Sequence, residues 1–322
     1  MVDCRGIYRL LPVVIIGGVI MVAWALQELH FVDPAGDEVD VALLQGNVAL
    51  SEKWNQGASH QIISHYAALS REVVNENALI VWPEGAVPDS WQHVSSWIGL
   101  SLPRKKDGSM PDYLIGTIDT SPAGDYYNAA ISISDDNTKT GSNDIYRKQH
   151  LVPFGEFLPF KPLFGWLVEY LKIPMSDFSS WPGEQKKMKL AGWPVAVSIC
   201  YEDAFGEELA ATVSGAAFLI NISEDAWFGD SLAPHQRLQM AQIRARESGR
   251  YFLRAANTGV TAVINEKGEI TSRLKQFVPS VLESQVVPMT GQTPYARFGN
   301  SLFLCLLLLW FLPILLLRLN KK

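Results

Sequence analysis

Two uncharged apolar runs bracket this chain, residues 10–26 (LLPVVIIGGVIMVAWAL) and 298–317 (FGNSLFLCLLLLWFLPILLL). Each approaches the ~20 residues that a helix needs to cross a bilayer. Arg5 and Arg9 precede the first run, and Arg318, Lys321 and Lys322 follow the second. Basic flanks stay in the cytoplasm, so both ends are expected there and the middle on the far side, the periplasm of a Gram-negative cell. A rival reading makes the first run a cleaved leader, with Ala23-Trp24-Ala25 as the small-x-small site. Either way the middle is exported and the second run anchors it. The expected divisions are 1–29 (a cytoplasmic stub and membrane helix), 30–296 (one exported domain) and 297–322 (a second membrane helix and basic tail).

The domain between the runs reads as α/β. Apolar stretches at 39–45, 78–82, 113–118, 128–134, 195–199, 218–222, 252–256 and 260–264 are strand-like. A helix is expected near 61–74 and another over 234–249, where Pro234 opens it and Gly249 closes it. Such alternation favours sheet covered by helices, and no internal repeat is visible. A formal net charge of −6 over 322 residues argues against a nucleic-acid partner. The histidines lack ligand spacing and no Gly-rich phosphate loop is present, so no metal or cofactor is expected. Residues 160–181 are crowded with large apolar side chains. Leu163, Trp166, Leu167, Tyr170 and Leu171 share one helical face there, which suits either ordinary packing or a lid touching lipid.

The chemistry concentrates around Cys200, the single cysteine of the large middle region; the others, Cys4 and Cys305, lie in or beside the apolar ends. A lone cysteine is often a small buried hydrophobe. Cys200, however, ends the run 195–199 and opens Cys200-Tyr201-Glu202-Asp203, where a following helix N-terminus and a nearby cation would favour thiolate. Glu84 also follows an apolar run closely, in Trp82-Pro83-Glu84-Gly85. If the two strands are neighbours in one sheet, both side chains emerge at the same edge, with Lys148 in a loop crossing above them. Glu and Lys are ordinarily exposed, and each alone reads as a surface charge. Together, a carboxylate, an ammonium and a thiol support acyl transfer: Glu84 takes the thiol proton, Cys200 attacks a carbonyl, and Lys148 faces the oxyanion. His150 has no evident orienting partner and reads as structural.

The segments WPEGAVP (82–88), YRKQHLVPFGEFLPF (146–160) and SICYED (198–203) together resemble the nitrilase, or carbon–nitrogen hydrolase, superfamily. Gln45-Gly46-Asn47 resembles the end of that superfamily's first strand. With DAWFG (225–229), RAANTGV (254–260) and TPYARFG (293–299), the chain most resembles the membrane-bound apolipoprotein N-acyltransferase branch. The resemblance covers nearly everything after His30. It implies a nitrilase-type αββα sandwich flanked by one transmembrane helix at each end, with Glu84, Lys148 and Cys200 as the triad. Glu156 would be a second active-site carboxylate, Tyr201 and Glu202 would flank the nucleophile, and Asn128 would support them. Trp54 and Trp227, with Trp166 and Leu167 of the lid segment, would meet substrate. The implied activity moves an acyl chain from a phospholipid donor, through a cysteine thioester, to an apolipoprotein acceptor at the membrane. The alternatives are an anchored amidase or nitrilase and a non-catalytic remnant. Two departures stand out. The branch carries several more membrane helices before its catalytic domain, which leaves a short form, a fragment, or a partner of a separate membrane subunit. Glu224 stands in Ser223-Glu224-Asp225 where the branch more often has Asn.

Overall fold

In a computed structural model the protein is described over residues 4–27, 29–53, 55, 57–136, 143–157, 177–308 and 311. Two six-stranded sheets form its centre. The first contains β2 (Val39–Gln45), β3 (Leu79–Val81), β4 (Asp112–Thr120), β5 (Tyr126–Ile133), β6 (Ile145–Arg147) and, at its edge, β13 (Ser280–Val286). The second contains β7 (Met188–Leu190), β8 (Trp193–Ile199), β9 (Phe218–Ser223), β10 (Phe252–Ala256), β11 (Ala262–Ile264) and β12 (Ile270–Arg273). β1 (Val32–Pro34) pairs with β14 (Met289–Gly291) as a separate ribbon.

The sheets share one plan. Three parallel strands lie centrally, β2-β3-β4 in one and β8-β9-β10 in the other. Each has one antiparallel neighbour on one side, β13 or β7. Two more antiparallel strands close the other side, β5-β6 or β11-β12. The architecture is thus repeated although the sequence shows no repeat, because the repeat is one of strand order rather than of residues.

Alternating apolar faces explain the layering. Val41, Leu43, Leu79 and Val81 of the first sheet meet Val195, Val197, Ile199, Ile220 and Leu253 of the second in one central core. The opposite face of the first sheet (Ala42, Leu44, Ile80, Tyr113) is covered by α2 (Ala58–Val73) and α3 (Trp91–Ser101), through Ile62, Ile63, Tyr66 and Ile98. The outer face of the second sheet is covered by α4 (Gly206–Val213) and α5 (Ala233–Ser248), through Leu209, Val213, Leu238 and Ala245. Full burial of each such aliphatic side chain contributes ~1.5–3 kcal/mol. The result is the four-layer αββα arrangement expected.

The flanks differ from expectation. α1 (Cys4–Gln27) is helical and residues 301–308 are helical, but among the described residues no helix is long and apolar enough to cross a membrane. The flanking membrane spans are therefore not part of the established fold. Their apolar side chains nonetheless stand in the open, with Val14, Met21 and Trp24 at 68–70% exposure and Leu308 at 70%.

Candidate active site

The carboxyl ends of the parallel strands in both sheets point to one place, where loop residues rather than ladder residues supply the functional groups. Glu84 lies just beyond β3, Cys200 follows β8, Glu224 follows β9 and Asn257 follows β10. Asn128 projects from β5, and Lys148 comes directly after β6. Glu84 and Cys200 therefore belong to opposite sheets, not to neighbouring strands of one. Lys148 is not in a surface loop; it is fully buried.

The first sheet carries a compact acid–base group. Glu84 Oε1 accepts from Asn128 Nδ2 at 2.6 Å and from Lys148 Nζ at 3.4 Å. Glu156 Oε1 accepts from the same two donors, Asn128 at 2.7 Å and Lys148 at 2.8 Å, while its Oε2 accepts from the Val152 amide at 2.8 Å. One ammonium and one side-chain amide thus hold two carboxylates together. Burial opposes the charge on Lys148, but Glu84 and Glu156, with Cys200, overcome it and hold the ammonium well above its ordinary range. Gly116 on β4 makes the arrangement possible: a Cβ there would overlap the Pro83 carbonyl and crowd Glu84 Cα.

The second sheet supplies the thiol. Cys200 adopts φ 52°, the left-handed region that a non-glycine residue enters at a cost. This turns the chain sharply from β8 into a short 3₁₀ turn, Cys200–Ala204, before α4. Glu202 holds that turn, accepting from the Ile199 amide at 2.7 Å and Tyr146 Oη at 2.8 Å. It also accepts from the amides of Gln149 at 2.7 Å and His150 at 3.2 Å. One carboxylate therefore ties the cysteine turn to the segment that follows Lys148. Burial raises the Glu202 pKa despite these donors. Tyr201 goes elsewhere: it is 40% exposed, its ring edge-on to Phe205, outside the cavity. His150 stacks on Phe205 and pairs with Glu208 at 2.9 Å.

The cysteine environment corrects the expectation of a thiolate. Burial pushes the Cys200 thiol up, from an ordinary 9.0 to about 11, although Arg237 and Lys148 pull it down. Arg237 was not singled out in the sequence. It lies on α5, and its Nη1 reaches Cys200 Sγ at 3.3 Å. Lys53 and Glu224 also gather here as a buried ion pair. The Glu224 amide donates to Glu84 Oε2 at 2.7 Å, and Lys53 Nζ to the Glu84 carbonyl at 3.4 Å.

These groups floor a cavity of about 290 Å³. Glu84, Lys148, Glu156, Cys200, Lys53 and Glu224 line it below, with Leu50, Val87, Val152, Phe154, Phe178 and Trp227 among its apolar walls. Phe154 is 54% exposed and Trp227 50%, so the mouth is greasy and open to solvent. Trp54, Trp166, Leu167 and nearly all of the lid segment lie outside the described residues. A charged floor under apolar walls accepts a substrate with a polar reacting carbonyl and a hydrophobic body.

Comparison with known proteins agrees with this geometry. The family model for carbon–nitrogen hydrolases matches residues 40–295. An apolipoprotein N-acyltransferase of Nitrosomonas europaea is 42% identical over 91% of this chain and 58% of its own length. One from Methylococcus capsulatus is 40% identical over 85% of this chain and 53% of its own length. The chain thus spans little more than half of these relatives. Among solved structures, the yeast nitrilase-superfamily member Nit3 superposes with a TM-score of 0.57 at 16% identity, over 81% of this chain and 93% of that one. A carbon–nitrogen hydrolase superfamily protein from Xanthomonas campestris gives 0.55 at 14%, over 83% and 97%. With the four-layer fold and the family model in accord over the whole central domain, the chain belongs to the carbon–nitrogen hydrolase family.

Proposed function

We propose that this protein is a membrane-associated N-acyltransferase acting on lipoproteins, with Cys200 as acyl carrier and Glu84, Lys148 and Cys200 as its triad. The observation that carries the reading is the cavity itself: a thiol, two carboxylates and a buried ammonium beneath exposed aromatic walls. In the loading half-reaction Glu84 takes the Sγ proton as sulfur attacks the donor ester carbon. The oxyanion forms against Lys148 Nζ, the carbon–oxygen bond breaks, and Glu84 returns the proton to the departing lysolipid oxygen. In the second half-reaction the acceptor α-amine attacks the thioester carbon and gives a proton to Glu84. Sulfur then leaves and recovers that proton. Glu156 and Asn128 keep Glu84 and Lys148 in register, and Glu202 fixes the turn that carries the sulfur. The raised thiol pKa fits a nucleophile deprotonated only as it attacks, which limits idle thiolate chemistry.

The supporting relatives are themselves apolipoprotein N-acyltransferases. The phospholipid donor, the diacylglyceryl-cysteine acceptor and the periplasmic placement of domain 30–296 belong to the proposal. So do inner-membrane spans formed by α1 and by the helix that begins at 301. The test is incubation with phospholipid vesicles, which should load a hydroxylamine-sensitive acyl group on wild-type protein and none on Cys200→Ala. A diacylglyceryl-cysteinyl peptide should then discharge it as an amide. An adduct persisting in Cys200→Ala, or discharge to water alone, would overturn the assignment.

A further inference from the structure

We propose that Arg237 is a further catalytic residue, the fixed counter-charge of the Cys200 thiolate. The proposal rests on the reading of Cys200 as nucleophile. The guanidinium touches the reacting atom, with Nη1 3.3 Å from Sγ, and is itself 7% exposed. It is held in place from behind. Nη1 also donates to Ser223 Oγ at 2.8 Å and Asp225 Oδ1 at 2.5 Å, and Nη2 faces the Asp203 carboxylate at 3.4–3.5 Å. Arg254 shares both aspartates, reaching Asp203 at 3.1 Å and Asp225 at 2.9 Å, but makes no bond to sulfur. Gly259 leaves the space that Asp225 fills, since a Cβ there would overlap its carboxylate.

The charges facing the sulfur come from every element around it. Glu84 and Lys148 stand on the first-sheet side, Arg237 on α5, and Asp225 behind. Lys148 is already engaged by Glu84 and Glu156 and faces the oxyanion in the proposed reaction. Arg237 has no such task. Its remaining contact is the sulfur, and it cannot deprotonate in a protein. It therefore acts when sulfur bears charge: as the Sγ–H bond breaks toward Glu84 during loading, and again when the carbon–sulfur bond breaks and thiolate leaves. Between these moments the neutral thioester asks nothing of it.

The test is the pH dependence of Cys200 alkylation by iodoacetamide in the full chain, followed on the Cys200 peptide. Arg237→Gln should move the midpoint upward by about one pH unit or more, a tenfold loss of thiolate at fixed pH. Arg237→Lys, which keeps a cation without the planar fork, should fall between. Arg254→Lys perturbs the same two aspartates without touching sulfur and should leave the midpoint in place. If Arg237→Gln does not fold, the comparison passes to Arg237→Lys against Arg254→Lys, and equal midpoints overturn the proposal. A wild-type midpoint in folded Arg237→Gln also overturns it. Because alkylation needs no lipid, a shifted midpoint with no acyl loading would count against the acyltransferase reading alone.

Discussion

The two sheets repeat one plan and do different work with it. Each has three parallel central strands whose carboxyl ends face the cavity. Glu84 and Glu224 hold equivalent posts, each after the middle parallel strand, yet Glu84 is bound to Lys148 and Asn128 while Glu224 is neutralised by Lys53. Cys200 and Asn47 are likewise equivalent, both just past the first parallel strand and both with φ near 51–52°. Asn47 caps a chain crossing, its amide donating to the Asn257 carbonyl at 2.9 Å, and Cys200 carries sulfur. A shared backbone solution thus provides two left-handed turns, one carrying an amide side chain and the other a thiol. In the first sheet one ammonium and one side-chain amide are shared between two carboxylates. The second provides a fixed bed, where Arg237 and Arg254 pair with Asp203 and Asp225 behind a single thiol.

The sharpest way to break that contrast is to remove the first sheet's cation. Lys148→Met should lower the rate of thioester formation by roughly 10²–10³, the usual cost of losing an oxyanion donor. It also leaves Glu84 and Glu156 facing each other without their cation. Glu84→Gln should fall comparably, because the amide cannot take the thiol proton. Stopped-flow or quench measurement of acyl loading decides this; near-normal loading in a folded variant removes that residue from the chemistry.

Next comes the tie between the sheets. Glu202→Ala leaves Tyr146 Oη and the amides of Ile199, Gln149 and His150 without their acceptor. Each buried donor left unsatisfied costs ~1–3 kcal/mol, and partial relaxation should bring the total to about 3 kcal/mol. Urea unfolding measures it. Glu202→Gln keeps an acceptor oxygen and should recover about half. A stability equal to wild type would mean the turn at Cys200 is held by something else.

How far this contrast could be read in the sequence depends on the residue. Strands β2 and β10 stand over 39–45 and 252–256, as their mostly apolar composition predicts for strands buried on both faces. Glu84, Lys148 and Cys200 are legible in their motifs and Glu156 only through the family resemblance, and the structure brings all four to one cavity. That Glu84 and Cys200 sit on opposite sheets was not visible, because a run of apolar residues does not say which sheet receives it. The pairing of Asp203 with Arg237 and Arg254, and of Lys53 with Glu224, is hidden in the sequence for a different reason. Buried ion pairs use residue types that are ordinarily exposed, and only the fold brings their partners within reach. Tyr201 shows the limit of motif reading in another way: neighbours in a motif need not face one site, and a 3₁₀ turn turns its ring outward against Phe205.

A smaller effect is expected at the mouth, where Phe154 and Trp227 line the cavity half exposed. If they receive the hydrophobic body of the substrate, replacing both with Ser should cost on the order of 2 kcal/mol of binding at ~25 cal/mol per Å² of apolar area, about thirtyfold in kcat/KM with vesicles. Alkylation of Cys200 by iodoacetamide should hardly change. Equal loss in both reactions would make the pair simple packing.

The smallest effect isolates the nucleophile's burial from everything around it. The folded thiol titrates near 11 against an ordinary 9.0. Below pH 9 both folded and unfolded chains keep the proton, so the thiol does not change stability. Between 9 and 11 the unfolded chain releases it while the folded chain retains it, and stability falls as pH rises. At pH 10 that loss is about 1.4 kcal/mol, one pH unit of differential ionisation. Tyr66 and Tyr146 are raised by burial in the same sense, so total alkaline unfolding is shared. The discriminating quantity is therefore the difference between wild type and Cys200→Ala in urea unfolding from pH 8 to 10.5. The two curves should draw together as pH rises, because the variant no longer has a thiol to ionise. Parallel curves would mean that Cys200 is better solvated than its 7% exposure implies, and that the fixed bed of the second sheet does not shield it from water.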